Sequence, residues 1–251
     1  MIFFISVSSH LPPFNSSILD TLTVDYTDEY IIEPAYVEYQ LSRVNIHKYS
    51  GLDGVLNWLL KEFAPLISDP VAAIFNASVR ESYVLLIWKS AEVIPAPKVN
   101  LPMSIQNDLR PISLLPALAK VLENIIGRWL LLFLEPHFDD NQFGSRGGRS
   151  TTHAIIALLH SLMSCLDTGG SVHTVFVNFR KAFDLVNHNL LFDKLQNVYG
   201  IPNCLLKCFG SYLSNRHQRV QTNSHQPGSN STVLCYAPRF LAWSSLIPSS
   251  H

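Results

Sequence analysis

The chain has 251 residues, of which 47% are hydrophobic and 15% are charged, and its formal net charge is −1. This composition excludes an intrinsically disordered chain and is typical of one large or two small domains with a substantial core. The near-zero net charge gives little electrostatic protection against self-association.

The charges are unevenly distributed along the chain. Residues 1–69 contain nine acidic and three basic side chains, whereas residues 70–251 contain ten acidic and fifteen basic ones. The later part is therefore the better candidate for contact with phosphate, although so mild an excess is equally typical of an ordinary solvated surface.

Cysteine usage and the N-terminus bear on the compartment. Cys204 and Cys208 lie four residues apart on a predicted helix and could share a metal ion, but no second Cys or His pair follows at zinc-finger spacing, which favours buried thiols. Unpaired cysteines suit a reducing, intracellular compartment, nuclear or cytoplasmic. The first seven residues are apolar but too short to cross a bilayer, so we expect no membrane segment.

The first part of the chain predicts a lead-in followed by two helices. Residues 1–48 lack a sustained period and are expected to be a partly disordered lead-in, with either a strand or a short helix between Tyr30 and Val44. Pro65 should separate the two helices, the second of which starts after Asp69. Their predicted buried positions are Val55, Trp58, Leu59 and Phe63 in the first helix, and Val71, Ile74, Phe75 and Val79 in the second.

The middle of the chain predicts a short strand, a long helix and a basic loop. Residues 91–95, bounded by prolines, indicate an edge strand. The helix has Pro116 near its first turn, ends at Glu135, and carries a buried face of Leu118, Val121, Leu122, Ile125, Ile126 and Trp129. Residues 141–152 form a Gly-rich basic loop that opens another helix, and such a helix N-terminus can bind phosphate through its amides. This helix carries an apolar face of Ile155, Leu158, Leu159, Leu162 and Leu166. The alternative is a plain turn with a Ser or Thr helix cap.

Residues 172–220 predict a strand, two helices and a returning strand. Thr174 to Phe179 are β-branched and aromatic without Gly or Pro, which indicates a buried strand. A helix should follow from Asn189, with Leu191, Leu195 and Val198 on one face, and a shorter one should follow Pro202, with Leu205, Leu206, Phe209 and Leu213 buried. The polar turn at 214–220 then leads back into a strand.

The stretch VFVNFRKAFDLVNHNLLFDKL resembles the first catalytic motif of non-LTR (LINE-type) retrotransposon reverse transcriptases. The resemblance extends from about Tyr49 to Val220. It implies an α/β (α+β) fold, helix-rich with a small sheet, in which residues 49–171 correspond to the fingers and 172–220 to part of the palm. Residues 221–251 fall outside the resemblance and are expected to be disordered.

The resemblance also implies roles for individual residues. Asn178 occupies the position of the family's metal-binding aspartate, and Phe183 matches the bulky residue that screens the sugar 2′ position of the nucleotide. The positions implied to approach the nucleotide triphosphate are Lys98 and Arg110, and those implied to lie along the template are Arg146 and Arg149. Fixed guanidinium and ammonium groups suit phosphate oxygens.

Polymerase chemistry requires two Mg²⁺ ions held by carboxylates, and the sequence lacks them where the family has them. Asn178 carries no charge, and no Asp or Glu follows Asp193. We therefore expect a catalytically inactive, truncated polymerase domain that uses no cofactor itself, although active relatives use Mg²⁺. Its implied partners are RNA template and DNA primer, and no membrane. The alternative is a non-catalytic RNA- or DNA-binding module that uses the basic fingers segments. Motifs of common hydrolases are absent.

Overall fold

In a computed structural model of the chain, residues 12–23, 30–101, 103, 108–179 and 185–220 are described. Within these residues the chain forms eight α-helices and three strands, with short 3₁₀ turns at Leu86–Lys89 and Glu135–His137. The helices are α1 (Ile18–Thr21), α2 (Pro34–Ser42), α3 (Asn57–Glu62), α4 (Ala64–Arg80), α5 (Ala117–Leu134), α6 (Thr151–Asp167), α7 (His188–Asn197) and α8 (Asn203–Leu213); the strands are β1 (Ser90–Pro97), β2 (Leu109–Leu114) and β3 (His217–Val220). The predicted α/β class is confirmed.

One hydrophobic core joins distant parts of the sequence. It draws on α2, α4, α5, α7 and α8, with Phe75 of α4, Phe192 of α7 and Leu205 of α8 among the largest fully buried side chains. The edge-to-face contact of Phe75 with Trp88, at 5.4 Å between ring centroids, connects α4 to the turn before β1. Burial of apolar area is the dominant stabilising term here.

The boundaries of the first two long helices differ from the prediction. Pro65 lies in the first turn of α4, where its missing N–H costs nothing, and Pro70 lies inside that helix. The buried face of α3 is also different, because Asn57 and Leu60 are buried while Trp58 is 51% exposed. Two backbone carbonyls, those of Asn45 and Lys48, accept hydrogen bonds from the Asn57 amide and turn this polar side chain inward.

The sheet has the order β2–β1–β3, so β1 is central and the predicted edge position is wrong. β1 pairs antiparallel with β2 and parallel with β3, but β3 covers only Ser90 to Val93 of β1. Pro95 and Pro97 lie beyond that reach, where β1 has one neighbour and a missing N–H is tolerated. The part of β1 that contains Pro95 and Pro97 therefore has β2 as its only neighbour in the described sheet, although β1 as a whole is the central strand.

Helices α5 and α8 match the prediction closely. α5 starts directly after Pro116, ends at Leu134 and buries Val121, Leu122, Ile125 and Ile126, while Leu118 and Trp129 are partly buried. α8 buries all four predicted apolar positions.

Cys204 and Cys208 are free and buried on α8, and burial raises the pKa of the Cys208 thiol to about 12, which keeps it protonated. β3 is the returning strand expected after the polar turn.

The predicted buried strand from Thr174 to Phe179 is wrong. Residues 171–179 have no regular secondary structure, and every one of them is exposed, with Phe176 at 81%. A strand requires a neighbour for its backbone N–H and C=O groups, and the three strands of the described sheet pair only with one another. β-branched composition alone does not provide that neighbour.

Helix α6 has the predicted cap but not a buried face. Ser150 caps it by accepting a hydrogen bond from the His153 amide, as the Ser/Thr-cap alternative predicted. None of its seventeen residues is buried, and Ile155, Ile156 and Leu159 are at least half exposed. The helical period was therefore correct while the expected core contact is not made in the described part of the chain.

The region before α3 contributes to the core. Between Tyr30 and Val44 the helix alternative is the one observed, and Val37 and Leu41 of α2 are completely buried. The division of the chain at residues 48, 171 and 220 stays a prediction. The helices in the described ranges are all too short or too polar to cross a membrane.

Gly51 offers a test of how the start of α5 is packed. Its φ is +106°, and a Cβ built there would lie 2.4 Å from the Cα of buried Pro116, which cannot move without the backbone. We expect Gly51→Ala to lower the free energy of unfolding by about 2–4 kcal/mol. Gly54, with φ +72° and no atom within 4 Å of its built Cβ, is the matched control, and Gly54→Ala should cost only about 1 kcal/mol. Urea unfolding measures both; equal losses would contradict the packing argument.

Candidate nucleic-acid interface

Lys98 and Arg110 lie at the same end of the β1–β2 hairpin. In the antiparallel register Ala96 pairs with Arg110, and Lys98 follows β1 directly. The Lys98 amide donates a hydrogen bond of 2.7 Å to the Asp108 carbonyl, which closes this end of the ladder. Both cationic side chains are exposed. Lys98 and Arg110, twelve positions apart in sequence, are thereby placed at diagonal positions across this end of the hairpin.

Arg146 and Arg149 lie in the basic loop, which was predicted at residues 141–152. In the structure this loop covers residues 138–150, and α6 follows it directly. The Arg146 guanidinium lies 5.8 Å from the ring centroid of Phe138 and donates a hydrogen bond of 3.1 Å to the Asp139 carbonyl. The Arg149 guanidinium lies 5.6 Å from the ring centroid of Phe143. These cation–π contacts hold both guanidinium groups against the loop. The loop therefore has a defined arrangement of its charges.

Acidic residues that the sequence analysis passed over reduce the charge of this loop. Asp140 lies 4.0 Å from the Arg149 guanidinium, at a highly exposed position. Such a surface pair is worth at most about 1 kcal/mol, so a phosphate could replace Asp140 as the partner of Arg149 at little cost. The adjacent start of α6 adds unpaired backbone N–H groups, which favour an anion at the same place.

The resemblance assigns motif roles to Asn178 and Phe183, and the structure describes only the first of these two residues. Asn178 lies in the exposed segment of residues 171–179, and no strand of the described sheet lies beside it to hold its amide in place. Phe183 lies outside the described residues.

Mg²⁺, the ion that the resemblance implies, does not fit the residues around Asn178. A pair of Mg²⁺ ions needs carboxylates that supply negative charge and bridge the two cations. An asparagine offers a neutral amide oxygen. Across the described ranges, no three His, Cys, Asp or Glu side chains come together as a group that could hold a metal ion. A metal-binding role for this segment therefore has no ligand set in the described structure.

A buried polar cluster, which the sequence analysis missed, joins residues 84–89, which lie before β1, to α8. Lys89 is only 2% exposed, and its ammonium donates a hydrogen bond of 3.3 Å to the Ser211 hydroxyl oxygen. The Val84 amide donates to the same oxygen at 3.0 Å. Burial lowers the pKa of Lys89 to about 8, with a further contribution from the positive charge of Arg216. Nothing in the local pattern around Lys89 marks it as buried.

The second half of this cluster connects α5 to α8. The Tyr212 hydroxyl donates a hydrogen bond to the Glu123 carboxylate, and the Arg216 guanidinium lies 4.1 Å from the Tyr212 ring centroid. Burial raises the pKa of Glu123, against the opposing charge of Arg216. A sequence signal for Glu123 did exist, because it lies four residues after Ala119 and three before Ile126, both buried, on the inner face of α5.

The strand β3 is attached by a further charged contact. Arg219 and Glu92 are register partners in the parallel β1–β3 pair, and their side chains form a salt bridge of 3.1 Å. The Glu92 carboxylate is almost completely buried, whereas the Arg219 side chain is 43% exposed. This pair helps to fix the register of β3, because a shift by one residue would remove the only cationic partner of the buried carboxylate in the described structure and leave it the hydrogen bond with Tyr49.

Comparison with known proteins identifies relatives for most of the chain. A family model described as reverse transcriptase (RNA-dependent DNA polymerase) matches residues 96–236, more than half of the chain and beyond Val220, where the sequence analysis placed the end of the resemblance. The chain is 29% identical to the probable RNA-directed DNA polymerase from transposon BS of Drosophila melanogaster, over 82% of this chain and 23% of the relative. It is 30% identical to that from transposon X-element and 26% identical to that from mobile element jockey, in both cases over 76% of this chain and 21% of the relative. The chain thus spans about a fifth of these relatives' length.

The buried lysine leads to a pH-dependent prediction. Holding the Lys89 ammonium in the folded chain costs roughly 2–3 kcal/mol at pH 7, and this exceeds the roughly 1 kcal/mol from its hydrogen bond. Lys89→Met should therefore raise the free energy of unfolding at pH 7 by roughly 1–2 kcal/mol. Between pH 8 and the ordinary lysine pKa of 10.5 the unfolded wild type binds more protons than the folded one, so wild-type stability rises and the advantage of the variant disappears.

Urea unfolding of both proteins at intervals from pH 7 to 10.5 measures this effect. Lys61→Met, at an exposed position on α3, is the control for loss of one positive charge. A constant difference between wild type and Lys89→Met over this range would show that the Lys89 ammonium is not destabilising in the folded chain.

Proposed function

The chain belongs to the reverse transcriptase (RNA-dependent DNA polymerase) family, and from this premise we propose that it provides the fingers and part of the palm of a LINE-type polymerase domain. Its relatives are RNA-directed DNA polymerases of Drosophila transposons and mobile elements. The hairpin end with Lys98 and Arg110 supports a fingers role, because both cations are exposed and adjacent, as contact with a nucleotide triphosphate requires.

The proposal includes the absence of polymerase activity in the 251-residue chain by itself. The observation that carries it is Asn178, a neutral and exposed side chain where the family has its metal-binding aspartate. The lack of acidic residues after Asp193 adds to this, since no second carboxylate strand can come from that part of the chain. Two-metal phosphoryl transfer without the bridging carboxylates lacks its main source of electrostatic stabilisation.

Primer extension tests this directly. Purified chain, a primed RNA template and all four deoxynucleotides with Mg²⁺ or Mn²⁺ should give no extended product. Asn178→Asp should not restore activity, because one carboxylate in an unpaired segment does not form a two-metal site. An active polymerase assayed in parallel verifies the substrates. Extension by wild-type chain that is abolished by Asn178→Ala would overturn the proposal.

A second candidate function is non-catalytic binding of RNA or an RNA–DNA duplex. The basic loop favours it, because Arg146 and Arg149 are held in place by aromatic rings and compete only with a weak surface ion pair. Lys98 and Arg110 would add two more phosphate contacts. Such binding needs no metal and depends on neutralising phosphates, so its affinity should fall steeply with salt.

Binding at several salt concentrations tests this candidate. The double variant Arg146→Gln and Arg149→Gln should weaken binding of an RNA–DNA duplex and lower the slope of log affinity against log salt by about 1 to 2. Lys61→Gln, which removes a cation from the exposed side of α3, should leave that slope nearly unchanged. Fluorescence anisotropy with a labelled duplex provides the measurement. Identical slopes for the wild type and the double variant would exclude the basic loop as the contact.

A further inference from the structure

A groove between the start of α2 and the middle of α5 is not part of any motif of the family resemblance. Its cavity volume is about 320 Å³, within the range of small-molecule sites. The residues that line this α2–α5 groove are Ile31, Ile32, Glu33, Tyr36, Ile125, Arg128 and Trp129. They combine two aromatic rings, three aliphatic side chains and one charge of each sign. Apolar walls with a few polar groups are the composition of a ligand pocket.

Two polar groups of the groove, the Tyr36 hydroxyl and the exposed Arg128 guanidinium, have no hydrogen-bond or ion-pair partner among the described residues. The Tyr36 hydroxyl oxygen is buried and has no hydrogen-bond partner in the described part of the chain, which is unfavourable for a polar atom. The Arg128 guanidinium lies 5.8 Å from the Tyr36 ring centroid and forms no salt bridge with any residue in the described ranges. A ligand that hydrogen-bonds the hydroxyl and neutralises Arg128 would satisfy both groups at once.

Two further residues that line the groove, Trp129 and Glu33, limit the kinds of ligand that it could bind. Trp129 contacts Tyr30 edge-to-face, with 5.3 Å between the ring centroids, so its ring is held in one orientation beside the groove. In nucleic-acid complexes, planar bases stack favourably on aromatic side chains that are held in place in this way. Glu33, directly before α2, is exposed and can accept a hydrogen bond from an exocyclic amino group.

From this combination we infer that the α2–α5 groove binds a nucleoside monophosphate unit whose base carries an amino group. The base lies against Trp129, the phosphate binds Arg128, and the Tyr36 hydroxyl gains the hydrogen bond that it lacks. The unit is either a free nucleotide or the phosphorylated end of a single-stranded nucleic acid. This site is built by α2 and α5, apart from the hairpin end and the basic loop, and it does not depend on the proposed function.

Calorimetric titration with adenosine monophosphate and with adenosine tests the assignment. The monophosphate should bind wild-type protein about tenfold more tightly than adenosine, because only it reaches Arg128. Arg128→Gln should remove that difference and leave adenosine binding unchanged. Tyr36→Phe should weaken both ligands about threefold without lowering the melting temperature, since the hydroxyl has no partner in the free protein.

Arg43→Gln is the matched control. Arg43 also lies over a tyrosine, with 5.2 Å to the ring centroid of Tyr39, but neither residue lines the groove. This variant should keep the wild-type affinities, which separates a role in the groove from general loss of a surface cation.

A 5′-phosphorylated oligoadenylate of about ten residues distinguishes the two sources. Tighter binding than the mononucleotide, lost in Arg128→Gln, would assign the groove to a strand end, and equal affinity would assign it to a free nucleotide. The inference is overturned if neither ligand binds at about 1 mM, if Arg128→Gln and Tyr36→Phe bind like wild type, or if N-acetylphenylalanine binds as tightly as the mononucleotide. RNA–DNA duplex binding through the basic loop can succeed or fail independently of each of these results.

Discussion

The burial of α8 is the constraint on which the described fold depends. This helix reaches the core with Leu205, Leu206 and Phe209, and its polar residues Ser211 and Tyr212 bind groups more than eighty residues earlier in the chain. Without α8, Lys89 would lose its hydrogen bond to Ser211 and Glu123 would lose its hydrogen bond from Tyr212. A buried charge without a partner is costly. The residues that directly follow this helix place Arg216 in the cluster and β3 in the sheet, so the C-terminal part of the described chain stabilises the region of residues 84–123.

The same dependence explains why residues 151–179 behave differently. The core formed by α2, α4, α5, α7 and α8 contains no side chain of residues 151–179. The described sheet consists of β1, β2 and β3, and none of these strands comes from that segment. The helix α6 keeps its period and its cap, since both are local properties, but the segment of residues 171–179 forms no strand, since pairing is not local. Asn178 therefore lies in a part of the described chain that contributes no side chain to this core.

Function follows the same division. Groups that bind phosphate need only to be presented on ordered elements, and the hairpin end and the basic loop do this with four cations. Metal-dependent transfer needs several carboxylates held within a few ångströms by paired strands, and the described residues do not assemble such a set. The proposed binding of nucleic acid and the proposed loss of polymerase activity are therefore compatible in one chain. The α2–α5 groove adds a feature that the family motifs do not predict, because it arises from the packing of two helices.

The sequence by itself determined the family, the α/β class, the positions of α5, α6 and α8, the return of β3, and the neutral residue at position 178, because periodicity, caps, prolines and motif residues are local. It did not reveal that Asn57 and Lys89 are buried, that β1 is central, or that residues 174–179 stay outside the described sheet. Only the tertiary structure decided these points. Each depends on contacts between groups that are distant in sequence. Backbone carbonyls bind the Asn57 amide, and Ser211 binds Lys89. β3 pairs with β1, whereas no strand of the described sheet lies beside Asn178. Burial, strand pairing and the satisfaction of polar groups are properties of the assembled chain.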